Sequence, residues 1–145
     1  MRARKKLAVV SALTAVAASA GMLFGASPAS AGPNCASGYH CVFYLGINDS
    51  ARHSYFDSDT DFGNDTFNQL TSRAGGGQVV HNNVDSASNS SSGNYESHYY
   101  TGVGSDWGGF LFCVNPGSSI DYLPSSLQNR ASSLQVRART SIHCY

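Results

Sequence analysis

Residues 99–136 read YYTGVGSDWGGFLFCVNPGSSIDYLPSSLQNRASSLQV, and this stretch decides the fold. Tyr100, Trp107 and Gly109 form an aromatic–aromatic–glycine pattern, with Gly102, Gly104 and Gly108 between and beside them. Glycine visits positive φ at little cost, so a tight hairpin is expected there. Phe110, Phe112 and Val114 alternate with Leu111, Cys113 and Asn115, which reads as a mostly buried strand. Asn115-Pro116-Gly117 turns the chain. An arch follows, Gln128-Asn129-Arg130-Ala131-Ser132-Ser133, and Ser133 to Val136 alternates again as a closing strand.

An aromatic corner with a trailing glycine, then a strand, a turn and an Asn/Ser arch, resembles the βγ-crystallin Greek key. A counterpart of the arch lies upstream as Asn82-Asn83-Val84-Asp85-Ser86-Ala87. The two arches read as an internal duplication. The expected fold is all-β: a βγ-crystallin-like sandwich of two Greek-key motifs, halves about 35–90 and 91–145, stapled by disulfides. Trp107, Phe110, Phe112 and Tyr122 are the expected core aromatics.

Outward from this unit, the chain opens with Arg2, Arg4, Lys5 and Lys6, an apolar run from Leu7 to Ala26, and Ala29-Ser30-Ala31. That is the pattern of a secretory signal over residues 1–31, cleaved after Ala31; an uncleaved anchor is the alternative. A secreted, extracellular location is expected. Residues 32–145 then form one domain. They carry five arginines against nine acidic residues, a net charge of −4 with histidine neutral. This argues against nucleic acid and anionic membranes as partners.

Cys35, Cys41, Cys113 and Cys144 make an even count in an exported chain, which reads as disulfides. Three pairings are open. Cys35–Cys41 as a local clip and Cys113–Cys144 as a tie for the last residues is the favoured set. A zinc site is the other use of such residues, but no Cys-x-x-Cys pair occurs.

In chain order, strands are expected over His40–Leu45, Arg52–Phe56 and from Gln78 to His81. Turns are expected at Gly46–Ser50, a flexible link at Arg73–Gly77, and a linker between halves at Ser88–Gly93. No amphipathic helix is evident; Ser125–Asn129 has room for one helical turn. Asp57, Asp59, Asp61 and Asp65 alternate as in an EF-hand loop, but Phe62 stands where that loop needs glycine and no glutamate closes it. A solvated acidic loop is expected.

No catalytic residues are assigned. His-Glu-x-x-His, Gly-x-Ser-x-Gly and phosphate-loop patterns are absent, and His40, His53, His81, His98 and His143 are scattered. No cofactor is required. Calcium is the candidate ion: the βγ-crystallin resemblance implies Asn82, Asn83, Ser86, Asn129 and Ser132 as ligands. Ala87 and Gln128 depart from that family's pattern. An exposed Tyr/Trp platform for stacking on sugars is a further candidate.

Cys35-Ala-Ser-Gly-Tyr-His-Cys41 followed by Val42-Phe43-Tyr44 resembles the opening of the secreted actinobacterial metalloproteinase inhibitors, peptidase inhibitor family 36. That resemblance implies an exported inhibitor of an extracellular protease; a monomer is expected. Its reactive bond would be Cys113–Val114, after a disulfide cysteine. A calcium- or glycan-binding module is the alternative.

Overall fold

The computed structural model describes residues 32–145, so the signal segment expected over 1–31 lies outside the described residues. Seven strands are present among them: β1 His40–Phe43, β2 Arg52–Tyr55, β3 Ser86–Asn89, β4 Tyr95–Tyr100, β5 Phe110–Val114, β6 Ser119–Ile120 and β7 Ser133–Ala138. The only helical turns among the described residues are short 3-10 turns at Phe62–Asn64 and Gly104–Asp106. All strand pairs are antiparallel.

The strands form two sheets, ordered β2-β1-β3-β6 and β5-β4-β7. Each sheet places its first strand between its second and a later return strand, which is a Greek key. The first sheet then takes β6 from the later part of the chain. The second receives an earlier segment in return, through a bridge between Asp59 and Leu134. The two halves thus exchange an edge, and the fold is all-β, as the sequence implies.

The sheets face each other over Val42, Tyr99, Phe112, Val114 and Leu134, joined by Phe62, Phe67 and Val84 from the connections. Tyr99 and Phe112 are cross-strand partners whose rings stack at 4.5 Å. Such a pair is worth about 1 kcal/mol beyond its burial.

Each disulfide ties a terminal segment over the outer face of one sheet. Cys35–Cys41 and Cys113–Cys144 both form, as favoured. The first closes a small second core of Cys35, Cys41, Phe43 and Ile47. β1 is therefore buried on both faces. The second holds the tail against β5, where Asn115 N–H donates to Tyr145 O at 2.8 Å and Tyr145 N–H to Cys113 O at 3.0 Å.

Several expectations are corrected. Trp107 is half-buried, while Phe110 and Tyr122 are exposed; only Phe112 of the four lies in the core. The cause at Phe110 is a bulge: Tyr99 faces Phe112, but Tyr100 faces Phe110. Leu111 is the extra residue and packs on the core, while Phe110 turns out beside Tyr100. The aromatic corner itself is formed, with Tyr100 and Trp107 rings 5.6 Å apart.

No strand forms at Gln78–His81. Val80 is buried there, but its segment meets residues 62–67 irregularly, with Val80 N–H donating to Asp65 O and His81 N–H to Phe62 O. The strand lies at Ser86–Asn89 instead, so Ser88 and Asn89 belong to the sheet rather than to a linker. Small residues suit it because other backbone crosses its outer face. A Cβ on Gly32 would sit 2.3 Å from Ser88 Oγ.

Candidate functional site

At one end of the sandwich the sheets splay and leave a groove of about 640 Å³. β1 begins there with His40 and β4 with Tyr95; Phe56 follows the end of β2, and Val136 closes the side from β7. The aromatic rings are left uncovered: Phe56 is 64% exposed and Tyr95 55%. Phe56 is braced edge-on by Tyr39 at 5.5 Å.

The floor is polar. His40 is only 2% exposed, and its Nδ1 shares a 2.6 Å hydrogen bond with Ser97 Oγ, itself fully buried. With Nδ1 anchored, Nε2 is the nitrogen left for the groove. Burial lowers the His40 pKa to about 4, against the opposing pull of Asp57. The imidazole is therefore neutral at pH 7. Asp57, Ser58, Ser91 and Ser92 add further polar side chains to the lining. Ser58 Oγ accepts from Val136 N–H at 2.9 Å, and Ser91 Oγ donates to Asn89 Oδ1 at 2.6 Å, so both are fixed.

The acidic loop is mostly structural. Asp59 Oδ1 accepts from Asp61 N–H, Asp61 Oδ1 from Gly63 N–H, and Asp65 Oδ2 from Tyr55 Oη. Of its four aspartates, Asp57 alone lines the groove.

The calcium candidates are spread over internal hydrogen bonds. Asn82 and Asn129 both adopt left-handed φ, at 57° and 55°. Asn82 N–H donates to Ala131 O and Asn129 N–H to Val84 O, so the two arches bind each other directly. Ser132 Oγ donates to Asn82 Oδ1 at 3.3 Å, and Asn83 Nδ2 to Val79 O. Ser86 lies apart, accepting from Tyr122 N–H and donating to Asp121 Oδ1. Asp121 Oδ1 also accepts from Ile47 N–H. A hard dication takes six to eight oxygens, and the side-chain oxygens of Asn82, Ser86 and Ser132 are already engaged in hydrogen bonds within the protein.

The candidate reactive bond is also displaced from its expected role. Cys113 and Val114 are 1% and 0% exposed, held in β5 opposite His98 and Ser97 and edged by the tail. A bond inside a sheet cannot be presented to a protease cleft.

The groove was not read from the sequence. Tyr95 shares a face of β4 with Ser97 and Tyr99, so period-two reading assigns it inward with them. It is exposed because it borders the groove with Phe56 and His40, a neighbourhood that only the tertiary structure reveals.

No protein-family model matches the chain, and no curated protein matches it. Among solved structures it is similar to one described as "Evolution of the eye lens beta-gamma-crystallin domain fold", at 17% identity and a TM-score of 0.49. The overlap covers 72% of this chain and 90% of that one. The strand order and disulfides given above, rather than this overlap, define the fold class.

Proposed function

We propose that the chain is an exported binding module whose groove takes a carbohydrate unit. The observation that carries this reading is the pair of exposed rings, Phe56 and Tyr95, bordering a polar lining of His40 and Ser91, both held by hydrogen bonds, and the exposed Asp57. Sugar rings offer C–H faces that stack on aromatics and hydroxyls that pair with such a floor. The net charge of −4 over residues 32–145 favours neutral or cationic saccharides over polyanions. Two disulfides suit an oxidising, extracellular setting. The role is binding rather than catalysis: the hydroxyl that touches His40 belongs to the buried Ser97, away from any ligand.

Retention on insoluble chitin and cellulose, followed by a soluble glycan array, tests this. Phe56→Ala and Tyr95→Ala are expected to weaken retention up to about tenfold each while leaving Tm unchanged, since stacking on a ring is worth about 0.5–1.5 kcal/mol. A chain that binds no glycan, or binds equally well in both variants, ends the reading. The inhibitor reading rests on the resemblance at Cys35–Tyr44 and has lost its bond at Cys113–Val114. Near-stoichiometric inhibition of a thermolysin-like protease, unchanged in Tyr95→Ala, would put it in place of the glycan reading.

A further inference from the structure

On the face of β4 away from the core, Glu96 and His98 are 2% and 0% exposed. Glu96 Oε2 accepts from His98 Nε2 at 2.7 Å, from Thr140 N–H at 3.1 Å and from Thr140 Oγ1 at 3.0 Å. With Nε2 committed to Glu96, His98 Nδ1 is buried without any partner. A buried imidazole nitrogen in that state costs stability and calls for a role. Directly opposite His98 lies Cys113, bonded to Cys144. A ring nitrogen of His98 and the two sulfurs all lie within 4.8 Å of one another.

We propose that reduction of Cys113–Cys144 converts this cluster into a site for a soft divalent cation such as zinc. Two equivalents of an external thiol reduce the disulfide to two cysteine thiols and become a disulfide themselves. The incoming cation then displaces both thiol protons to solvent and binds two thiolates and His98 Nδ1. Water fills the fourth position. Two sulfurs and one imidazole match the preference of zinc for soft and borderline donors. Glu96 behind Nε2–H fixes the tautomer and orientation of the ring, the usual arrangement behind a metal-bound histidine. Two thiolates cancel the charge of the cation, so burial is tolerated. The oxidised chain cannot bind, because its sulfurs are bonded to each other. The site is thus exclusive with the tail disulfide, and it is independent of the groove.

Cobalt(II) titration of the purified chain, before and after treatment with a phosphine reductant, tests the proposal. The reduced chain is expected to show thiolate-to-cobalt charge-transfer absorption saturating at one equivalent and displaced by zinc; the oxidised chain should show none. His98→Gln should weaken binding at least tenfold and alter the ligand-field bands, and Glu96→Gln should weaken it about tenfold. Near-ultraviolet circular dichroism follows the fold throughout. If reduction unfolds the chain, one equivalent of metal must restore the native signal. Absence of the band in the reduced chain, binding without refolding, or a band that survives Cys113→Ser but is lost in Cys35→Ser overturns the assignment.

Discussion

Asn89 Nδ2 donates to the carbonyl of Val114 at 3.0 Å, reaching from β3 in one sheet to β5 in the other. The same amide donates to Tyr95 O at 2.9 Å, while its oxygen accepts from Ser91 N–H and Oγ. Every hydrogen-bonding position of a fully buried side chain is thereby used. Asn89→Ala would remove this donor from the Val114 carbonyl and leave the Ser91 N–H without its acceptor, while Tyr95 O keeps only Ser91 Oγ. It is expected to cost about 3 kcal/mol, measured as a lower urea midpoint with an unchanged slope. A loss below about 1 kcal/mol would show that the two sheets do not depend on this link.

Stability should fall in mild acid through His40. Its folded pKa of about 4 lies below the ordinary imidazole value of 6.5. Between those values the unfolded chain takes up a proton that the folded chain resists. Stability is therefore fully present above pH 6.5 and lost progressively down to pH 4, by about 3 kcal/mol in all. Glu96, whose pKa is lowered, adds its own loss at lower pH, as its carboxylate protonates. Urea unfolding of His40→Gln at pH 7 and pH 4.5 should give nearly equal stabilities. A pH dependence parallel to that of the unsubstituted chain would rule His40 out as the cause.

Gly102 packs against the hairpin's return. A Cβ there would lie 2.6 Å from the backbone nitrogen of Gly108, and Gly102 N–H donates to Trp107 O. Backbone cannot move aside as a side chain can. Gly102→Ala is expected to cost about 3 kcal/mol and to shift Trp107 fluorescence. Gly104 has a left-handed φ of 75° but open space around it, so Gly104→Ala should cost only about 1 kcal/mol. Equal losses would mean that the hairpin relieves the close approach at Gly102 by a small backbone shift.

Calcium should leave Tm unchanged. Ser132 Oγ already donates to Asn82 Oδ1, and the arches are closed on each other through Asn82 and Asn129. A ligand that gains nothing from the native state cannot stabilise it. A rise in Tm with millimolar calcium, abolished by Ser86→Ala, would show that the arches open to coordinate the ion.

The parts of this fold that local patterns control were legible in the sequence. Tyr100, Trp107 and the glycines between them announced the hairpin, and an even cysteine count announced two staples. What local patterns do not control was missed. Phe110 faces outward because one bulged residue reverses its side, and no periodicity of FLFCV records a bulge. β3 is Ser-Ala-Ser-Asn, a composition typical of linkers, and is a strand only because Gly32 and the segment before β6 cover it. The candidate site followed the same rule. His40 and Tyr95 are far apart in sequence and meet only because both sheets end at the same mouth.

The two disulfides should differ in what they contribute. Cys35–Cys41 spans six residues and Cys113–Cys144 thirty-one. If a crosslink acts mainly by restricting the unfolded chain, the short loop contributes about 2 kcal/mol and the long one about 4. The native contacts pull the other way. The short bridge covers Phe43 and Ile47, a small core that otherwise has only the partly buried Tyr39 packed against it, whereas the tail keeps a second tether where Thr140 donates twice to Glu96. Paired alanine substitution of each bridge, followed by thermal unfolding, separates the two effects. Chain entropy predicts the larger loss of Tm for Cys113→Ala with Cys144→Ala. A larger loss for Cys35→Ala with Cys41→Ala would show that the clip stabilises the native state by packing, because its loop is too short to do so through the unfolded chain.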